Sequence, residues 1–74
     1  MYIIIAGCGK VGSGLANKLS REGHDVAIID SDPENFSKID PDFSGLKLVG
    51  VPFDQDVLKN AGIDKADAVA AVTP

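Results

Sequence analysis

A glycine-rich loop between an apolar run and a helical pattern constrains this chain most. The loop Gly7-Cys8-Gly9-Lys10-Val11-Gly12 follows the β-branched run Tyr2–Ala6 and precedes apolar residues that recur every four positions. A continuous apolar run is typical of a strand buried on both faces, and the four-residue spacing indicates a helix. Gly23 ends that helix, and a second apolar run closes at Asp30. The pattern predicts a β-α-β crossover unit of about 30 residues.

Strand and helix patterns continue to alternate beyond this unit. The dipeptide Asp32-Pro33 starts a short second helix, and the run 46–49 is a third strand that is less apolar and so nearer an edge. Asp54 caps a third helix, and the run 68–72 is a fourth strand. Because crossovers between parallel strands are right-handed, we expect an α/β, Rossmann-like parallel sheet of order 3-2-1-4 with helices on both faces. We expect the domain to be truncated after strand four, which leaves an apolar edge and favours an oligomer.

Length, charge and cysteine content exclude several classes of protein. The chain has 74 residues, one cysteine and a net charge of −4, so it is a single domain without an internal disulfide. An acidic chain lacks the basic face that nucleic acid requires and does not favour an anionic membrane. The apolar run 2–6 is too short for a signal peptide or a membrane span. We therefore expect a cytoplasmic protein that does not insert into the membrane.

Each glycine of the loop has its own predicted role. Gly7 allows the tight turn, Gly9 lets the backbone approach a pyrophosphate, and Gly12 lets the helix pack closely on the strands. The start of the helix then offers unpaired N–H groups and a positive dipole to phosphates. The structural alternative is a glycine turn that only packs.

Asp30 stands at the end of the second strand, 18 residues after Gly12. A carboxylate at this place accepts hydrogen bonds from the hydroxyl groups of an adenosine ribose and repels a 2′-phosphate. No arginine or lysine occurs in residues 31–34, so NADP is disfavoured. The alternative is a solvated acid at the end of a strand.

Several other polar residues near the loop have open interpretations. Lys10 either adds charge near a pyrophosphate or is an exposed lysine of the first helical turn. Cys8 lies near a helix N-terminus, where the pKa of a thiol falls, but a small residue that lines the loop is the simpler interpretation. His24 is interpreted as a surface turn residue. A metal site is not predicted, because the acidic cluster lacks the spacing of metal ligands; the cluster is Asp30, Asp32 and Glu34. We identify no catalytic constellation and expect a protein that is not an enzyme.

Several segments of the chain resemble a known family. The segments 3–12, 22–26 and 29–30 are similar to the start of a regulatory domain of the Trk/Ktr potassium-uptake type, also called an RCK N-terminal, TrkA-N or KTN domain. The stretch 57–63, followed by Ala66-Asp67-Ala68 and Ala71-Val72-Thr73, is the more specific part, since many Rossmann domains share the glycine loop alone. The resemblance covers residues 1–74 and identifies them as part of such a nucleotide-binding domain.

The resemblance implies a nucleotide sensor that binds NAD(H) or ATP/ADP. Its members assemble as dimers or rings and pass the state of the ligand to a membrane potassium channel or transporter subunit, so a peripheral location follows. Carried over by position, the backbone from Gly7 to Val11 (Cys8, Gly9 and Lys10 included) would hold phosphates, and Asp30 the ribose. Val51 and Pro52 would lie against the adenine, and Thr73 would face the diphosphate or the second ribose.

The chain departs from the family pattern beside the predicted adenine site. The family usually has an aspartate directly after the glycine that Gly50 matches, and Val51-Pro52 stands there instead. A polar contact to adenine is then lost, which keeps open the alternative of an assembly scaffold that binds no nucleotide. A separate alternative is an enzyme, in which the chain is the cofactor-binding half of an NAD-dependent dehydrogenase.

Overall fold

The computed structural model describes residues 1–72. Along them, four strands alternate with two α-helices and two short 3-10 helices. The strands are β1 Tyr2–Ala6, β2 Asp25–Asp30, β3 Leu46–Val49 and β4 Ala68–Ala71. The α-helices are α1 Lys10–Arg21 and α2 Gln55–Asn60, and the 3-10 helices are Pro33–Lys38 and Ile63–Lys65.

The four strands form one parallel sheet in the order β3-β2-β1-β4. This confirms the predicted Rossmann-like order, with β3 at an edge. Ile5 of β1 lies opposite Ile28 of β2 and Ala70 of β4, so the carboxyl ends of the strands meet at one edge of the sheet. We call it the carboxyl edge; the glycine loop leaves β1 there, and Asp30 ends β2 there.

Two hydrophobic layers cover the sheet, because alternate residues of a strand point to opposite faces. On one face Ile3, Ile5 and Ile28 pack with α1 and with the segment around Phe36 and Ile39. On the other face Ile4, Ala27 and Ile29 pack with residues of α2 and its neighbouring turns, Ala61 among them. The central strands are consequently buried on both sides, and the expectation of helices on both faces is confirmed.

The connecting elements differ in detail from the sequence prediction. The second helix is a 3-10 helix, and its predicted cap is present: the Asp32 carboxylate accepts a hydrogen bond from Glu34 N–H at 3.0 Å. Asp54 caps α2 by accepting from Asp56 N–H at 2.8 Å and Val57 N–H at 3.2 Å. Gly62 ends the α2 segment in a left-handed conformation with φ 86°, and the 3-10 helix Ile63–Lys65 follows it directly.

Candidate functional site

The turn out of β1 depends on Gly7. Its φ of 111° lies in a region that L-residues with a Cβ rarely adopt, and its N–H donates to the carbonyl of Ile29 at 2.8 Å. The hydrogen bond ties the loop to the neighbouring strand β2. Gly7 therefore fulfils the predicted role of allowing the tight turn, while its own N–H is used within the protein.

The start of α1 packs directly on this turn. A Cβ placed on Gly12 would lie 2.2 Å from the Gly7 carbonyl oxygen and 3.0 Å from Cγ2 of Val72. A methyl group does not fit at 2.2 Å from a backbone oxygen. Gly12 is thus required for the close approach of helix and strand that the sequence predicted.

The first turn of α1 presents backbone donors to the carboxyl edge. Its first ladder bond runs from Ser13 N–H to the Gly9 carbonyl at 2.9 Å, so the three preceding N–H groups lie outside the ladder. Within residues 1–72 no side chain caps this end, and no acidic residue occupies the first turn. A Cβ on Gly9 would meet no described atom within 4 Å. The helix therefore begins with electropositive N–H groups outside its ladder, and the space beside Gly9 is open.

Asp30 connects the loop to the segment that follows β2. Its Oδ2 accepts from Cys8 N–H at 2.8 Å, and its Oδ1 accepts from Asp32 N–H at 2.9 Å and from Asn35 Nδ2 at 3.0 Å. The partly buried carboxylate is consequently more than a solvated acid at a strand end. It holds the glycine loop, β2 and the 3-10 helix in one arrangement.

These donors keep Asp30 ionised. Desolvation by burial is the largest single influence and by itself raises the pKa of the carboxyl. Hydrogen bonds from the backbone of Asp32, Cys8 and Ser31 and from the Asn35 side chain outweigh it together, so the pKa of Asp30 lies below its ordinary value. The candidate site therefore contains a fixed negative charge close to the start of α1.

The Cys8 thiol is fully buried, and its Sγ donates to the Asn35 carbonyl at 3.3 Å. Burial, followed by the negative charge of Asp30, raises the pKa of this thiol, although the charge of Lys38 opposes the change. A lowered thiol pKa, on which the alternative redox interpretation of Cys8 depends, is therefore absent, because desolvation dominates at a fully buried sulfur. Cys8 is a small residue that lines the interior of the loop.

The remaining predicted site residues occupy the surface of the same region. Lys10 and Val11 are exposed on the first turn of α1. Val51 is exposed and Pro52 half-buried, and both follow β3 at the carboxyl edge, where Gly50 N–H donates to the Asp30 carbonyl at 2.9 Å. Thr73 lies outside the described residues.

The family model of the TrkA-N domain matches residues 3–74, almost the whole chain. The chain belongs to the TrkA-N family. TrkA-N domains are nucleotide-binding domains with a Rossmann-like fold, which agrees with the glycine loop and the sheet order described above.

Individual relatives of this TrkA-N domain carry related names. The chain is 51% identical over 73 residues to the Trk system potassium uptake protein TrkA of Streptomyces coelicolor. The aligned region is 99% of this chain and 33% of that relative. It is 51% identical to a Trk system potassium uptake protein TrkA homolog of Pyrococcus abyssi, over 99% of this chain and 32% of the relative. It is 38% identical to TrkA of Azorhizobium caulinodans, over 99% of this chain and 16% of the relative. The TrkA-N domain thus spans about a third or less of the curated relatives it matches.

A groove elsewhere on the TrkA-N domain offers less chemistry. It lies between the C-terminal half of α1 and the loop that follows the first 3-10 helix. Its Arg21 and Asp40 pair with each other at 2.9 Å, and Asn17 is bonded to the backbone of Lys38 and Asp40. Arg21, Asp40 and Asn17 therefore already have partners within the protein, which makes the carboxyl edge the stronger candidate site.

Residues 1–72 contain no group of three or more His, Cys, Asp or Glu side chains placed to hold a metal ion. In the same residues, none of the helices has both the length and the apolar character that crossing a membrane requires.

Asn35 is the residue of this TrkA-N site that sequence reasoning missed. It contacts both Asp30 and Cys8, yet it stands five positions after Asp30 in a segment read only as a short helix. The available signal was the Asp32-Pro33 start, which turns the chain back toward the strand end. That signal predicts the reversal of the chain but does not indicate which side chain returns to Asp30.

Proposed function

We propose that this chain is the nucleotide-sensing part of a regulatory protein for potassium uptake and is not an enzyme. The observation that carries the proposal is the first turn of α1, where N–H groups lie outside the helix ladder and the space beside Gly9 is open. An anionic phosphate suits this place, because backbone donors and the helix dipole both favour negative charge. The role in potassium uptake is inferred from relatives named as Trk system potassium uptake proteins.

The proposed ligand is NAD(H) or ATP/ADP, which share an adenosine diphosphate group. Since the N–H groups of Gly7 and Cys8 bond within the protein, we expect the phosphates to contact Gly9, Lys10 and Val11. Each of these ligands also carries an adenosine ribose and an adenine base. The remaining proposed contacts are Asp30 to the ribose, Val51 and Pro52 to the adenine, and Thr73 to the diphosphate or second ribose.

Selectivity against NADP follows from the charge of Asp30. A 2′-phosphate on the adenosine ribose would meet an ionised carboxylate whose lowered pKa keeps it charged at neutral pH. Like charges at close range disfavour binding. We therefore propose that NADPH binds at least about tenfold more weakly than NADH.

Transmission to a transporter is the second part of the proposal. A ligand changes an assembly only by binding one of its arrangements more tightly than another. We propose that the chain acts in a homo-oligomer, a dimer or a ring, on the cytoplasmic side of a membrane potassium channel or transporter subunit. The names of the relatives support the association with potassium uptake and favour a regulator over the cofactor half of a dehydrogenase.

Calorimetric titration of the chain tests the ligand part of the proposal. NAD⁺, NADH, ADP, ATP and NADPH are each added up to millimolar concentration, with inorganic pyrophosphate as the control without a ribose. We expect saturable binding of at least one adenine nucleotide and weaker binding of NADPH and pyrophosphate. If NAD⁺, NADH, ADP and ATP all fail to bind, an assembly scaffold that binds no nucleotide is the better interpretation.

A further inference from the structure

Asn35 closes a ring of hydrogen bonds around the proposed ribose-binding carboxylate. Its side-chain Nδ2 donates to Asp30 Oδ1 at 3.0 Å, and its backbone carbonyl accepts from Cys8 Sγ at 3.3 Å. Cys8 N–H in turn donates to Asp30 Oδ2 at 2.8 Å. Three residues from three different segments, the glycine loop, the end of β2 and the first 3-10 helix, are therefore held together.

The ring determines which part of the Asp30 carboxylate remains available. An ionised carboxylate has about four acceptor positions, two on each oxygen. Oδ1 accepts from both Asn35 Nδ2 and Asp32 N–H, whereas Oδ2 accepts from Cys8 N–H. The backbone of Ser31 also donates to this carboxylate. Because Asn35 and Asp32 both engage Oδ1, we assign Oδ2 to a donor from outside, such as a ribose hydroxyl.

Among the donors to Asp30, Asn35 alone acts through its side chain. The N–H groups of Cys8 and Asp32 belong to the backbone and are present whatever the residue. Asn35 is therefore the position at which a substitution changes the setting of the carboxylate without changing the carboxylate itself. It is half-buried, and its amide occupies the position on Oδ1 that a ribose hydroxyl would otherwise contest.

We propose that Asn35 is a positioning residue for ribose selection: its amide holds the Asp30 carboxylate so that Oδ2 faces the hydroxyl groups of a bound adenine nucleotide. The inference rests on the proposed function, because it assigns a role to Asn35 in the same site. Asn35 acts through Asp30 and does not itself contact the ligand.

Two variants and a matched control test the role. Asn35→Ala removes the amide donor, and Asn35→Asp keeps the size of the side chain while replacing the donor with an acceptor. The control Asn17→Ala removes an asparagine that also bonds to the backbone near the first 3-10 helix, at Lys38 and Asp40, but does not contact Asp30. Circular dichroism of each variant establishes that it is folded.

The first readout is independent of any ligand. The titration of the Asp30 carboxyl is followed by carbon-13 NMR in the wild-type chain and the variants. We expect the pKa of Asp30 to rise in Asn35→Ala and to rise further in Asn35→Asp, while Asn17→Ala leaves it in place. An unchanged Asp30 titration in both Asn35 variants would overturn the proposal.

The second readout separates ribose recognition from general damage. ADP and 2′,3′-dideoxy-ADP share the phosphates and the base, so the ratio of their Kd values isolates the hydroxyl groups. We expect the dideoxy compound to bind the wild-type chain at least about tenfold more weakly, since hydrogen bonds to a carboxylate are charge-assisted. In Asn35→Ala the ratio should shrink by at least about threefold, and in Asn17→Ala it should stay at the wild-type value.

The outcomes distinguish the two proposals. If Asn35→Ala weakens both ligands equally, so that the ratio is unchanged, the residue is merely structural and the role in ribose selection is overturned while nucleotide binding stands. If the wild-type chain binds neither ligand, the proposed function fails and the ribose role fails with it, whatever the NMR titration shows.

Discussion

Gly12 lies against the carbonyl oxygen of Gly7, so close that a Cβ on Gly12 would come within 2.2 Å of that oxygen. The contact joins the first turn of α1 to the turn that follows β1, which places the start of the helix at the carboxyl edge of the sheet. The geometry of the proposed phosphate site thus depends on one glycine that does not itself have to touch the ligand.

Gly12→Ala should therefore destabilise the fold by about 2 kcal/mol or more, because a methyl group at 2.2 Å from the Gly7 carbonyl oxygen forces the backbone of the turn to shift. Gly14→Ala is the matched control, since a Cβ there meets nothing within 4 Å and alanine favours a helix by about 0.5–1 kcal/mol. Urea unfolding of both variants measures the difference. Equal midpoints would contradict the close packing of helix and strand.

Gly9→Ala should separate ligand binding from stability. Its Cβ would meet no described atom within 4 Å, so we expect the free energy of unfolding to fall by no more than about 1 kcal/mol. The methyl group would instead occupy the space in which we place a phosphate. The affinity for ADP should then fall at least about tenfold by calorimetry, whereas Gly14→Ala keeps the wild-type affinity. Unchanged affinity in Gly9→Ala would move the phosphates away from this turn.

Asp30 should make the stability of the chain depend on acid pH. Its pKa is lowered in the folded protein, so the folded state binds fewer protons than the unfolded state between the two pKa values. The stabilisation is fully present above the unfolded value of about 3.9 and is lost as the pH falls through the lower, folded value.

Asp30→Asn removes this contribution, so the loss of stability on acidification should become shallower than in the wild-type chain. It should also lower stability at neutral pH by about 1–3 kcal/mol, because an amide accepts less well and presents a donor to N–H groups. Thermal unfolding from neutral to acid pH measures both effects. Asp42→Asn, at an exposed loop carboxylate, is the control and should leave the pH profile in place.

Cys8 should be unreactive in the folded chain. The thiol is fully buried and its pKa is raised, so little thiolate forms and reagents reach it only when the structure opens. We expect alkylation by iodoacetamide at mildly alkaline pH to be at least about a hundredfold slower in the native chain than in urea. Rapid alkylation of the native chain would instead support a redox role for Cys8.

The order of elements and the sheet were predictable from the sequence because each rests on local patterns. The β-branched runs of β1 and β2 indicate buried strands, the spacing in α1 indicates a helix, and the chirality of crossovers leaves few ways to connect them. The requirement for Gly7 and Gly12 follows from their place between strand and helix. These predictions needed no knowledge of which distant residues meet.

The surroundings of Asp30 were not predictable in this way. The helix N-terminus beside Cys8 is recognisable in the sequence, whereas the burial that raises the pKa of its thiol depends on how the first 3-10 helix folds back over the loop. The use of Gly7 and Cys8 N–H groups within the protein likewise depends on the register between the loop and β2. These contacts join residues more than twenty positions apart.

The sequence by itself determined the Rossmann-like sheet, the glycine loop and the acid at the end of β2, since apolar periodicity and glycine spacing are properties of neighbouring residues. Only the tertiary structure decided that Asp30 is already held by donors from the loop and the segment after β2, the side chain of Asn35 among them. The physical reason is that hydrogen bonds to a partly buried carboxylate depend on which backbone and side-chain donors the packed segments bring to it.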